Sequence, residues 1–225
     1  MNKMTVSPWF SISPEGPITC ATDENPLVHL RQGELDGACG PYCMVMALIA
    51  LGVLSREEAC NMSEWDARTR EGRFRDKLQS FGTLVNAGTD TYDLTWLAEG
   101  FARKGVWSEE VTGSKKSTLK RLIKAVDDWQ IPILSLYWES GSGHWLIVVG
   151  YQGIEYEEGF QLTHLLCLDP ASEAPYISLW NAVIEVFNAD GESVNKGTYS
   201  ANHWDVDGYQ VQCQISTAVI LGVEE

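Results

Sequence analysis

Apolar positions in the first half of the chain recur at helical spacing, whereas those in the second half form short β-rich runs. A helix is predicted to follow Cys39, with Pro41 in its first turn; residues 44–51 are apolar on every side, so this helix should be buried all round. Ser55 and Glu58 form a capping box that opens a second helix. Further helices are predicted over residues 94–101 and 119–129.

After Pro132 the pattern changes to that of strands. Residues 178–187 fit either a helix or a strand. Residues 1–30, which contain four prolines, are predicted to be an extended N-terminal segment. Strands are predicted over residues 133–137, 144–151, 162–168 and 209–221.

These elements predict an α+β fold in which the helices pack on one side of a mostly antiparallel sheet. We expect one domain over residues 1–225, because 225 residues can bury a core without disulfides, and 44% apolar with 21% charged residues is a globular composition. The mainly helical half spans residues 31–130 and the mainly β half spans residues 131–225.

The net charge is −15, with 16 Lys and Arg against 31 Asp and Glu. Such a field repels phosphate backbones and anionic headgroups, so we expect neither nucleic-acid nor membrane binding. The longest apolar run, residues 44–54, is about half of a membrane-spanning helix. The six cysteines are sparse and the first residues show no export signal, which predicts reduced thiols and a cytoplasmic location.

Cys39 is the cysteine best placed for chemistry, in the sequence GACGPYC at the start of the buried helix. Unpaired N–H groups and the positive end of the helix dipole stabilise a thiolate at such a position. Gly37 and Gly40 allow another backbone to approach closely. A free cysteine more often packs in a core, and we assign that role to Cys43, one turn further on.

His144 and Asp169 are candidate partners for this thiol. His144 follows a glycine-rich turn and begins an apolar strand, so that its imidazole can project into a cleft from a rigid support. Asp169 ends another apolar strand and could orient the imidazole. The alternatives are a histidine that only begins a strand and an Asp-Pro pair that only marks a turn.

Two other arrangements are weaker. His203 also precedes a tryptophan and has acids nearby, but its polar flanks predict a surface loop. Zinc ligation by Cys39, Cys43, His29 and His144 lacks the usual two-residue cysteine spacing. We therefore expect no metal and no cofactor.

Three segments follow one another along the chain: Gln32 with Cys39-Gly40-Pro41, then Gly143-His144-Trp145 running into LIVVGY, then Leu168-Asp169-Pro170. Their combination resembles the bacterial papain-like peptidases related to those that process double-glycine bacteriocin leaders. The segments SKKSTLKRLIKAVDDWQ and IPILSLYW resemble the part of that family that precedes the histidine. The resemblance covers roughly residues 30–185.

The resemblance implies that Cys39 is the nucleophile, His144 the general base and acid, and Asp169 the residue that orients His144. Gln32 would donate to the oxyanion, together with the Cys39 N–H. Gln32 lies seven residues before Cys39, one more than usual in such enzymes, so this role requires a one-residue bulge. Residues 155–158 look like the end of a hairpin inserted between the His and Asp segments.

We therefore expect a papain-like cysteine peptidase that cleaves a peptide or isopeptide bond through a thioester on Cys39. The alternatives are an acyltransferase or transglutaminase-like enzyme with the same triad, and a catalytically inert binding module. The negative charge favours basic peptide or protein substrates. Glycine at the acyl-donating residue is implied only by the family resemblance.

Overall fold

The structure is a computed structural model that describes residues 1–33, 37–80, 88–157 and 159–224. Within these residues the α-helices are α1 (Cys39–Ala50), α2 (Arg56–Cys60), α3 (Arg70–Gln79), α4 (Thr91–Ala98) and α5 (Lys115–Asp127). The strands are β1 (Asn2–Val6), β2 (Phe10–Ser13), β3 (Gly16–Thr19), β4 (Val106–Val111), β5 (Ile131–Trp138), β6 (Gly143–Tyr156), β7 (Gly159–Leu168), β8 (Ala182–Glu185), β9 (Ala201–Asp205) and β10 (Gln210–Val223). Two 3₁₀ helices cover Met62–Glu64 and Glu99–Lys104. The fold is α+β, as predicted.

Six strands close into an antiparallel barrel in the order β6-β5-β10-β9-β8-β7, with β7 pairing back onto β6. β6 and β10 are the longest strands, with 14 residues each. Their length lets each pair with three neighbours, so that β1 joins β6 and β4 joins β10 outside the ring. β2 and β3 form a separate hairpin.

The barrel wall separates two apolar clusters. Because side chains alternate along a strand, Leu146 and Val148 of β6 face the inner cluster, while Trp145 and Ile147 face the outer one. The outer cluster also contains nine of the twelve residues of α1, including all of residues 43–50, which explains why this helix is apolar on all sides.

The sequence analysis predicted that all helices pack on one side of the sheet, but the structure divides them between the two apolar clusters. The apolar stripes of α3 and α4 join α1 in the outer cluster, whereas α5 packs its stripe into the inner cluster. At the start of α5, the Lys115 ammonium donates to the carbonyls of Val186 and Ser200, where β8 ends and β9 begins. α5 therefore lies at one end of the barrel, and the opposite end is left for the candidate site.

Several local predictions can be compared with the structure. The capping box of Ser55 and Glu58 is present at the start of α2. The ambiguous segment 178–187 contains the short strand β8, and residues 1–30 include β1 and the β2–β3 hairpin. Of the predicted hairpin end at residues 155–158, residues 155–157 lie at the end of the β6–β7 hairpin, where Tyr156 pairs with Gly159; Glu158 lies outside the described residues. Across the described part of the chain, no helix combines the length and apolar character needed to span a bilayer.

Candidate active site at the open end of the barrel

Cys39 is the first residue of α1 and is buried, with 7% of its surface exposed. The preceding Ala38 provides no side-chain cap, and the first turn of the helix carries no acidic residue. The helix N–H groups and dipole therefore act on the thiol without competition from a capping carboxylate.

Gly40 lies where the helix meets the rest of the site. A Cβ atom at this position would lie 2.0 Å from Thr89 Oγ1 and 3.1 Å from Trp145 Cδ1. The close approach predicted for Gly40 therefore involves side chains rather than another backbone. Trp145 is itself fixed, because its indole N–H donates to the Thr89 carbonyl at 2.9 Å.

His144 lies at the start of β6, on the inner face and at the barrel end opposite α5. Its Nε2–H donates to Asp169 Oδ1 at 2.7 Å, which leaves Nδ1 for the Cys39 side chain. Burial is the largest influence on the His144 pKa and lowers it. The charge and hydrogen bond of Asp169, together with those of Cys39, outweigh burial and raise the pKa of His144 to about 10. The buried Asp169 carboxylate therefore stabilises the protonated form of the imidazole.

Asp169 follows β7 and is almost fully buried. Burial raises its pKa, but the charge and hydrogen bond of His144, a hydrogen bond from His203 and the Ala171 N–H outweigh burial and hold the pKa well below its usual range. The Ala171 N–H donates to Oδ1 at 2.7 Å. The carboxylate stays ionised and pairs with His144.

Asn181 holds the main chain of Asp169, a role that the sequence analysis missed. Its Oδ1 accepts the Asp169 N–H at 2.6 Å, and its Nδ2 donates to the carbonyls of Asp169 at 2.9 Å and Glu173 at 3.0 Å. Asn181 is 1% exposed. The available signal was an amide residue within the otherwise apolar segment around Ala182, because buried polar side chains are nearly always hydrogen-bonded.

The prediction of a surface loop at His203 is wrong. His203 lies in β9, is 8% exposed, and donates from Nε2 to Asp169 Oδ2 at 3.2 Å. The polar residues next to His203 suggested a solvent-exposed loop, but neighbouring residues in a strand face opposite sides, so they do not indicate the burial of His203 itself. Asn202 faces the other side of the strand and donates to the Glu185 carboxylate.

Gln32 lies beside the Asp169 segment, and its N–H donates to the Pro170 carbonyl at 2.8 Å. Its side-chain Oε1 is buried and has no hydrogen-bond partner among the described residues. The one-residue bulge predicted between Gln32 and Cys39 falls in the loop that contains residues 34–36, which lie outside the described residues. The structure thus brings Gln32 close to the Asp169 end of the site.

The four residues considered as zinc ligands have different environments and do not form one cluster among the described residues. The His29 ring donates from Nε2 to the Asp169 carbonyl at 3.0 Å. Cys43 is fully buried in α1, and burial raises the pKa of its thiol well above the usual value. The described ranges contain no cluster of three or more residues suited to holding a metal ion.

Cys39 and His144 share the wall of a cavity of about 280 Å³. Its other described lining residues are Gly88, Thr89, Asp90, Asp93, Ser135, Tyr137, Gly143 and Trp145. A larger groove of about 640 Å³ runs along β8, β9 and the segment after Asp169. The smaller cavity is the candidate active site, because it contains the reactive groups.

No protein-family model matches the chain, and no curated protein matches it closely enough to count as a relative. The evidence for a function therefore lies in the residues at the open end of the barrel.

Proposed function

We propose that the chain is a papain-like cysteine peptidase with Cys39 as nucleophile, His144 as general base and acid, and Asp169 as the orienting carboxylate. The observation that carries the proposal is that Cys39 and His144 line one cavity and that Asp169 is hydrogen-bonded to His144 behind it. Asp169 holds His144 Nε2, and the other imidazole nitrogen serves the thiol at the start of α1. Such a constellation activates a thiol for acyl transfer.

The reaction begins when the Cys39 thiolate, paired with the His144 imidazolium, attacks the substrate carbonyl. The carbonyl oxygen becomes an oxyanion, which accepts hydrogen bonds from the Cys39 N–H and from Gln32. His144 gives its proton to the leaving amine as the C–N bond breaks, and the acyl group remains on sulfur as a thioester. His144 then takes a proton from water, which attacks the thioester and releases the acid and the thiol.

The substrate class follows from charge and space. Asp90 and Asp93 line the cavity, and the whole chain carries a net charge of −15. A flexible basic peptide is therefore favoured in encounter, and added salt weakens this preference. Gly88, which lines the same cavity as Cys39, has no atom within 4 Å of where a Cβ would lie, and this open space is in keeping with a small acyl-donating residue such as glycine.

The first experiment is alkylation with iodoacetamide at about pH 6, followed by peptide mapping. Cys39 is expected to react first, because it lies at the start of α1 and shares a cavity with His144. Burial raises the thiol pKa of Cys167 well above its ordinary value and that of Cys213 to about 12, so neither reacts in folded protein. A Cys39 that is spared while the exposed Cys60 is labelled contradicts the proposal.

The second experiment presents a pool of random-sequence peptides and sequences the new C-termini, with the Cys39→Ala variant as control. Enrichment of glycine there and faster cleavage of basic peptides at low salt are expected. If the Cys39→Ala variant still cleaves peptides, Cys39 is not the nucleophile. If no peptide is cut but added amines discharge a thioester on Cys39, the chain is an acyltransferase instead.

A further inference from the structure

Asp169 carries a second histidine that the mechanism above leaves unused. His203 donates from Nε2 to Oδ2 at 3.2 Å, whereas His144 and the Ala171 N–H both donate to Oδ1. Each carboxylate oxygen therefore has its own imidazole donor.

The position of His203 is fixed by the barrel. β9 pairs with β8 and β10, and the register sets His203 opposite Ile184 on one side and Val211 on the other. Trp138, at the end of β5, stacks on the His144 ring with centroids 6.4 Å apart and meets the His203 ring edge-on at 5.3 Å. One indole therefore holds both imidazoles against the carboxylate.

A carboxylate held at one oxygen can still rotate about its Cβ–Cγ bond. In Asp169 both donors to Oδ1 lie on the same oxygen, and within the described residues His203 is the hydrogen-bond donor to Oδ2. A donor on each oxygen fixes the plane of the group, and hence the direction of the lone pair that His144 Nε2–H meets.

We propose that His203 is a positioning residue that locks the Asp169 carboxylate plane, so that His144 is held with Nδ1 facing Cys39. The inference deepens the proposed peptidase function and rests on it. The other ionisable groups near His203 are placed differently. Glu185 lies on β8 and accepts from Asn202 on the opposite face, and the Asp205 carboxylate accepts the N–H groups of the turn that follows β9.

The test compares His203→Leu, which removes the donor, with His203→Gln, whose Nε2 can reach the same oxygen. His164→Leu is the matched control, because this histidine lies half-buried in β7 and bonds to Thr163 Oγ1. With four histidines in the chain, ¹⁵N-labelled imidazoles can be assigned and titrated individually by NMR. Alkylation of Cys39 at about pH 6 is measured on the same variants.

In His203→Leu the His144 titration midpoint is expected to fall by about one pH unit, and Cys39 alkylation to slow about tenfold, as for the loss of one hydrogen bond to a charged group. His203→Gln restores both, and His164→Leu changes neither. The direction of the shift in the His144 midpoint separates two effects of His203. Its N–H withdraws negative charge from the carboxylate, so its removal without any change of geometry would raise the midpoint, whereas loss of the carboxylate orientation lowers it. A raised or unchanged midpoint overturns the positioning role.

Two further outcomes are informative. If His203→Leu does not fold, His203→Gln is compared with His203→Asn, whose amide is one methylene too short, and equal midpoints then refute the proposal. If Cys39 loses reactivity in both the Leu and Gln variants but keeps it in His144→Gln, His203 is itself the partner of the thiol and the proposal fails. The NMR readout needs no peptide cleavage, so a failure of the peptidase function is detected separately.

Discussion

Replacement of Gly40 by alanine tests the contact between α1 and the rest of the site. The new Cβ would lie 2.0 Å from Thr89 Oγ1, 3.1 Å from Trp145 Cδ1 and 3.2 Å from Leu94 Cδ2. Thr89 is buried and Trp145 is tied to its carbonyl, so neither neighbour can move freely. The helix start must shift, and Cys39 shifts with it.

The cost can be worked from the opposing effects. Overpacking of a buried site costs about 1–3 kcal/mol, and the better helix propensity of alanine offsets up to about 1 kcal/mol. With the middle of that range, about 2 kcal/mol, the net loss is about 1–2 kcal/mol, which lowers the Tm of a chain of this size by about 2–8 °C. Thermal unfolding and Cys39 alkylation are the measurements. Gly100→Ala is the matched control, because its Cβ would meet only Phe74 Cδ2, at an ordinary 3.8 Å.

A double-mutant cycle identifies the clash. Thr89 Oγ1 is buried without a hydrogen-bond partner among the described residues, so Thr89→Ala removes the obstacle without breaking a hydrogen bond seen there. Gly40→Ala is expected to cost at least about 1 kcal/mol less in the Thr89→Ala background. An equal cost in both backgrounds refutes the steric argument.

Three other predictions concern the same site. Because the pKa of His144 is raised from 6.5 to about 10, its contribution to stability is full below pH 6.5 and is lost as the pH rises to about 10; urea unfolding across this range is expected to show a larger loss for the wild type than for Asp169→Asn. Gln32→Ala is expected to lower turnover by about 10²-fold to 10³-fold with little change in Tm, and unchanged turnover would place Gln32 outside the oxyanion hole. Asn181→Ala removes two hydrogen bonds to the buried backbone of Asp169 and one to the Glu173 carbonyl, and is expected to cost about 2–4 kcal/mol in urea unfolding; a cost below about 1 kcal/mol would show that other groups hold Asp169.

The parts of the fold that the sequence predicted are those encoded by local pattern. The helix at Cys39 could be predicted because its residues are apolar on every side, and β5, β6 and β7 because each contains a short apolar run next to a turn. The closure of the barrel could not, because it depends on which strands pair over long separations, as β10 does with β5. A strand as short as β8 carries too few residues for its alternation to be recognised.

The same limit applies to the site. Cys39, His144 and Asp169 were identifiable because each lies at the end of a regular apolar segment. Asn181 and His203 could not be identified in this way. They lie 12 and 34 residues from Asp169 respectively, and neither has a local pattern that indicates Asp169 as its partner. A buried polar residue can be recognised from sequence only when the element that buries it is also predicted correctly.

The proposed nucleophile and its partners come from different layers of the molecule. Cys39 belongs to a helix packed on the outside of the barrel, whereas His144 and Asp169 belong to the barrel itself. The distance between imidazole and carboxylate is therefore set within one rigid unit, but that between thiol and imidazole is set by how α1 seats on its outer wall. A shift of α1 along the barrel by a fraction of an ångström would weaken the contact between the Cys39 thiol and the His144 imidazole while both layers stayed folded. Under the proposed mechanism, loss of activity and unfolding are therefore separable events.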